Sequence, residues 1–117
     1  MRLKETNDQE ERTKKQVLEV LSALAEPTRL AAMCLVCSKG ELCLCDIVEH
    51  LNVTQSRASR HMAVLVKAGL VLDRRDAQWV RYKKNTKLPK PLRGVVKSVL
   101  ATLPSASPTK GKCYEKH

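Results

Sequence analysis

Asn52-Val53-Thr54-Gln55-Ser56-Arg57-Ala58-Ser59-Arg60-His61-Met62-Ala63-Val64-Leu65 decides the fold. Ala58, Met62 and Leu65 recur at helical spacing and mark a face for the core. Arg57, Arg60, His61 and Val64 fall on the opposite face. Thr54 suits an N-cap, because its hydroxyl can accept from a free backbone N–H of the first turn. The spacing predicts a helix from Thr54 or Gln55 to Ala68, with Gly69 as its stop. Just upstream, Leu42 to Leu51 reads as a short helix and Asn52-Val53 as a tight turn. Two short helices joined by a tight turn, the second rich in arginine, form a helix-turn-helix pattern whose second helix suits a major groove.

Downstream, Leu70-Val71-Leu72 and Trp79-Val80-Arg81-Tyr82-Lys83 read as two strands. The polar stretch Asp73–Gln78 joins them as a hairpin, the position of a wing. It lacks the glycine that tight hairpin turns favour, which leaves its loop length open. Upstream, Val17, Leu18, Leu21, Leu24 and Ala25 follow helical spacing from about Arg12 to Ala25. Pro27 suits the first turn of a second helix that reaches Ser38 and is closed by Gly40. Pro89 and Pro91 bracket the entry to a last helix, Leu92 to Leu103, with a stripe of Leu92, Val95, Val96, Val99, Leu100 and Leu103.

The expected fold is therefore mainly α with a small β-hairpin, a winged helix-turn-helix in the order α-α-α-α-β-β-α. Residues 1–11 and 104–117 are expected to be flexible, flanking a DNA-binding and dimerisation domain over 12–103. The first and last helices lie outside the helix-turn-helix and are amphipathic. A two-fold dimer reading a palindromic site would use them.

Charge sharpens this reading. Residues 1–53 carry seven basic and nine acidic side chains, whereas residues 54–93 carry eleven basic and two acidic. A segment of net +9 is the footprint of a polyanion binder, and Arg74, Arg75 and Arg81 on the wing suit phosphate or minor-groove contacts. Aromatic side chains are confined to Trp79, Tyr82 and Tyr114, too few for the stacking platforms of single-strand binders. Double-stranded DNA is the expected partner. No apolar run is long enough to span a bilayer, and no apolar segment follows the first residues as in a signal peptide. A cytoplasmic protein is expected, with no membrane partner and no protein substrate. No catalytic constellation, phosphate loop or paired carboxylates stand out, so the chain does not read as an enzyme.

Cysteine chemistry remains. Cys43-Leu44-Cys45-Asp46 falls at a helix start a few residues before the basic helix. Soft thiolates prefer soft ions. In a reducing compartment the five cysteines read as ligands or redox sensors rather than a disulfide frame. On a regular helix residues i and i+2 point about 200° apart. Two thiolates on one ion thus require the first turn to open. A helix N-terminus also favours thiolates over thiols.

Taken together, Ala25-Glu26-Pro27-Thr28-Arg29-Leu30, Gly40-Glu41-Leu42-Cys43-Leu44-Cys45-Asp46, Gln55 to Leu65, Gly69-Leu70-Val71 and Trp79-Val80-Arg81-Tyr82 resemble the ArsR/SmtB family. The resemblance covers roughly residues 15–103 and preserves the order and spacing of every block. It implies a dimeric winged-helix repressor that releases operator DNA on binding a metal or metalloid. The Glu-Leu-Cys-x-Cys-Asp block resembles the arsenic-responsive branch, implying As(III) or Sb(III) as inducer and arsenical resistance as the setting. That branch carries a third cysteine where this chain has Val48. A third thiolate would then come from Cys113 in the tail or, second, from Cys37, or be replaced by a small ligand. The zinc-type Asp, His and Glu ligands are missing from 92–103. The resemblance also assigns Thr54, Gln55, Ser56, Arg57, Ser59, Arg60 and His61 to the DNA side. Two other readings stand beside it: a redox or persulfide sensor of the same fold using Cys34 or Cys37 with Cys113, and a constitutive DNA-binding protein with structural cysteines.

Overall fold

The computed structural model describes residues 8–103. Its elements are α1 (Asp8–Leu24), α2 (Pro27–Lys39), β1 (Glu41–Cys43), α3 (Leu44–Leu51), α4 (Gln55–Lys67), β2 (Val71–Asp76), β3 (Trp79–Lys84) and α5 (Lys90–Ala101). The helix-turn-helix and the wing stand where the sequence put them. Three features differ from expectation.

The first is the start of α1, which takes in residues 8–11 that were expected to be flexible. Asp8, Glu10 and Glu11 occupy its first turn, where carboxylates stabilise the positive end of the helix dipole.

The second is β1. Leu42 and Cys43 were expected to begin the third helix; with Glu41 they instead form a strand beside β3, giving a three-stranded sheet in the order β1-β3-β2. Glu41 pairs with Lys83, Leu42 with Tyr82 and Cys43 with Arg81, all antiparallel. Three residues carry no readable period. Their conformation is set by partners some forty residues away, beyond any local signal.

The wing strands are longer than expected. Asp76 pairs with Trp79, leaving Ala77-Gln78 as a two-residue turn. Ala77 has φ 60°, the positive φ that such turns require and that glycine or asparagine usually supplies.

The core binds these elements through the inner faces of the helices. Leu35, Val36, Met62, Leu65 and Val20 have no exposed surface. The α3–α4 turn passes through Asn52 at φ 56°, a left-handed conformation that asparagine tolerates. Thr54 caps α4 by accepting from the Arg57 N–H at 3.2 Å. Gly69, at φ 84°, lets the chain leave α4, and its carbonyl accepts from Asn85 Nδ2 at 2.9 Å. Asn85 thereby fastens the end of β3 to the end of α4. No single described helix is long and apolar enough to cross a membrane.

Candidate metalloid site and nucleic-acid surface

Cys43 is the last residue of β1 and the N-cap of α3. Its backbone is extended, with φ −90° and ψ 166°. This removes the expected obstacle. Because Cys43 is not helical, its side chain is free of the 100° helical step, and α3 need not unwind for both thiols to reach one ion. The sulfurs of Cys43 and Cys45 and an oxygen of Asp46 all lie within 4.8 Å of one another. Two thiolates bonded to one centre at about 2.3 Å sit roughly 3.7 Å apart in tetrahedral geometry. Bonding to one centre therefore fixes the separation of the two sulfurs at the β1–α3 junction without unwinding α3.

Asp46 holds the turn together. Its Oδ2 accepts from the Cys43 backbone N–H at 3.2 Å and from the Cys43 Sγ–H at 3.3 Å. The first bond satisfies a donor that a helix start leaves free. Cys43 is buried, Asp46 is half-buried and Cys45 is exposed, so one edge of the cluster is open to solvent. The Cys45 thiol is pushed up from its ordinary pKa, chiefly by its hydrogen bond with Cys43, with burial and the Asp46 charge adding to it. The expected lowering by the helix N-terminus is outweighed, because a second thiol and a carboxylate crowd the same turn.

The other cysteines are placed differently. Cys34 is buried in the core, and Cys37 is half-buried on α2. Burial raises the Cys37 thiol above its usual range, with Lys84 opposing. A protonated, half-buried thiol is a poor nucleophile. Neither belongs to the ligand cluster, so Cys37 does not complete a three-thiolate site among the described residues. Cys113, expected first as a third ligand, lies outside the described residues.

On α4, Ala58, Met62 and Leu65 are buried, whereas Gln55, Ser56, Arg57, Ser59, Arg60 and Val64 are exposed, as is the capping Thr54. His61 goes elsewhere. Its Nδ1 accepts from Arg29 Nη1 at 3.2 Å and lies 3.9 Å from Glu26 Oε1, with 17% of the side chain exposed. Expected on the DNA side, it instead joins α4 to the start of α2. Arg29 is the hub of that joint, since its Nε also donates to the Ala23 carbonyl at 2.7 Å. Glu26 caps α2 by accepting from the Arg29 N–H, and that bond is the chief reason its carboxyl lies below the ordinary range. This joint escaped the sequence reading, for its three members are up to 35 residues apart in the chain.

Of the eleven basic residues in 54–93, ten are exposed and Arg81 is half-buried. The wing arginines are not equivalent. Arg74 pairs with Glu41 of β1 at 2.7 Å and lies 3.8 Å from Asp76, while Arg81 Nε donates to Asp76 at 3.3 Å. Arg75 makes no ion pair among the described residues. Cys43 thus sits opposite Arg81 in the sheet, and its β1 neighbour Glu41 is bridged to Arg74. The thiol cluster and the wing share a sheet.

Known proteins fit this geometry. The profile described as bacterial regulatory protein, arsR family, matches residues 26–72, from the N-cap of α2 to the start of β2. An arsenical resistance operon repressor of Staphylococcus xylosus is 38% identical over 71 residues, which span 61% of this chain and 67% of that protein. The chain belongs to the ArsR family. The arsenic resistance transcriptional regulator ArsR2 of Pseudomonas putida is 45% identical over 71 residues, 61% of this chain and 62% of its own length. This ArsR-family chain therefore aligns with rather less than two thirds of that relative. The fold agrees with a solved winged helix-turn-helix DNA-binding domain from Mycobacterium bovis, at TM-score 0.69 and 24% identity over 83% of this chain and 86% of that one. The family segment contains Cys43, Cys45, Asp46 and all of α4.

Proposed function

We propose that this ArsR-family protein is a transcriptional repressor that binds double-stranded operator DNA as a homodimer and leaves it when As(III) or Sb(III) bonds to Cys43 and Cys45. The observation that carries the reading is the thiol pair gathered at the junction of β1 and α3. From there α3 packs on α4, and β1 pairs with the wing. Drawing the two sulfurs onto one centre moves the residue that both ends β1 and caps α3. Both DNA-contacting elements are thereby biased from one site. The names of the arsenic-resistance relatives support the choice of inducer. A third thiolate such as Cys113, or a small ligand, completes the coordination.

The dimer rests on α1 and on the apolar side chains that the protomer leaves exposed. Leu18 is 61% exposed and Leu21 44%, both on α1, and Val95 of α5 is 38% exposed. Thr54, Gln55, Ser56, Arg57, Ser59 and Arg60 form the major-groove surface, and Arg74, Arg75 and Arg81 the wing's phosphate contacts. The exposure of Cys45 disfavours purely structural cysteines. The burial of Cys34 and the raised thiol of half-buried Cys37 disfavour a redox pair built on them.

The direct test is operator release measured with arsenite, antimonite, zinc and hydrogen peroxide. Arsenite and antimonite should weaken operator binding by about 5–150-fold, the usual span of allosteric coupling, and zinc and peroxide should not. Release by peroxide alone would replace this function with redox sensing.

The DNA surface makes its own prediction. Arg57→Ala or Arg60→Ala should cost about 1–3 kcal/mol of operator binding and relax sequence preference, because a base-edge contact is lost. Arg75→Ala should weaken all sequences alike and flatten the log–log salt dependence by about one, since it neutralises a phosphate without pairing inside the protein. Arg74→Ala should do less than Arg75→Ala, as Arg74 is already engaged by Glu41. Filter or anisotropy titrations at several salt concentrations read both effects. Unchanged preference in the α4 variants would remove that helix from the groove.

A further inference from the structure

The third coordination position is where the structure says more, on the footing of the arsenic reading above. Val48 stands where the arsenic-type motif has its third cysteine, and no other thiol joins Cys43 and Cys45 among the described residues. The group that does join them is the Asp46 carboxylate. It is anchored rather than loose. Its Oδ2 already accepts from the Cys43 backbone N–H, and the same oxygen accepts from the Cys43 thiol at 3.3 Å.

We propose that Asp46 is a specificity-determining residue of the inducer site, accepting a hydrogen bond from a hydroxyl that bound arsenic keeps, and so favouring inorganic arsenite over arsenicals whose third substituent is carbon.

The chemistry balances without any redox step. Arsenous acid, As(OH)3, meets two thiols. Two As–S bonds form, two As–O bonds break, and two waters leave carrying the thiol protons. Arsenic stays trivalent with one hydroxyl. Bonding of Cys43 removes the S–H donor that Asp46 Oδ2 had been accepting from, and the retained hydroxyl can donate to that oxygen in its stead. Methylarsonous acid loses both its hydroxyls as water in forming the same two As–S bonds. Its methyl group offers Asp46 nothing and leaves a half-buried carboxylate one donor short. A carboxylate that loses its partner in a partly desolvated site forfeits a charge-assisted bond. A third thiolate at this position would have no such requirement.

The experiment compares half-release concentrations for arsenite and methylarsonous acid from operator DNA, with the full-length protein. The ratio is taken within each variant, so any change in folding or DNA affinity cancels. Asp46→Ala should shift the ratio about tenfold against arsenite, the size of one charge-assisted hydrogen bond. Asp46→Asn keeps an acceptor for the Cys43 N–H and protects the helix cap, and should shift the ratio the same way by about threefold, since a neutral acceptor binds less strongly. X-ray absorption of the arsenite complex should show two sulfur neighbours and one oxygen. An unchanged ratio in both variants, or equal losses for both arsenicals, would leave Asp46 a cap and nothing more. Three sulfur neighbours would overturn the inference in favour of a third thiolate while leaving the arsenic function standing. Normal release by both compounds from Cys43→Ser and Cys45→Ser would instead sink the site itself.

Discussion

Serine at position 43 or 45 should abolish arsenite-induced release while operator affinity stays within about twofold of wild type, because serine is close to cysteine in size and neither residue lies on α4 or the wing. The fold should not suffer. Cys43 occupies an N-cap with extended φ and ψ, where serine is a better capping residue than cysteine. A serine hydroxyl can donate to Asp46 as the thiol does. Cys45 is exposed, so its sulfur contributes little packing. Loss of release in each single variant is expected because a lone thiolate cannot clamp an ion that needs two. The measurement is operator titration with and without saturating arsenite. Retained release in either variant would show that the inducer binds elsewhere, and failure to bind DNA without arsenite would show that the thiols are structural.

The second large effect concerns stability. Leu65 has no exposed surface and lies on the inner face of α4 with Ala58 and Met62. Leu65→Ala removes buried methyl groups and leaves a cavity, at a cost of about 2–5 kcal/mol. Small domains are stable by only about 5–15 kcal/mol, so much of the total is at stake. Val64 is its neighbour in sequence but 39% exposed. Val64→Ala should cost less than about 1 kcal/mol. Urea unfolding at one fixed protein concentration separates the two, as protomer concentration enters the stability of any dimer. Equal costs would mean that α4 is rotated from the orientation described here. The same contrast matters for function, since the rotation that buries Leu65 is the one that exposes Arg57 and Arg60.

Periodicity and punctuation determined a good deal from the sequence alone. Ala58, Met62 and Leu65 fixed the inner face of α4, because a 3.6-residue period is a local property that burial then enforces. Thr54, Gly40 and Gly69 marked helix ends through hydrogen-bond and φ requirements that belong to single residues. The charge step at residue 54 located the basic surface, and Cys43-Leu44-Cys45-Asp46 announced a thiophilic site. Tertiary structure alone decided the rest. It made Glu41–Cys43 a strand, through pairing with Arg81–Lys83, and in doing so turned a thiol pair that a regular helix would hold apart into neighbours. It drew His61 inward to Arg29 and Glu26. Each of these depends on groups brought together from other elements or on a backbone conformation imposed by them. Such contacts are fixed only when the whole chain has packed, so no window of sequence contains them.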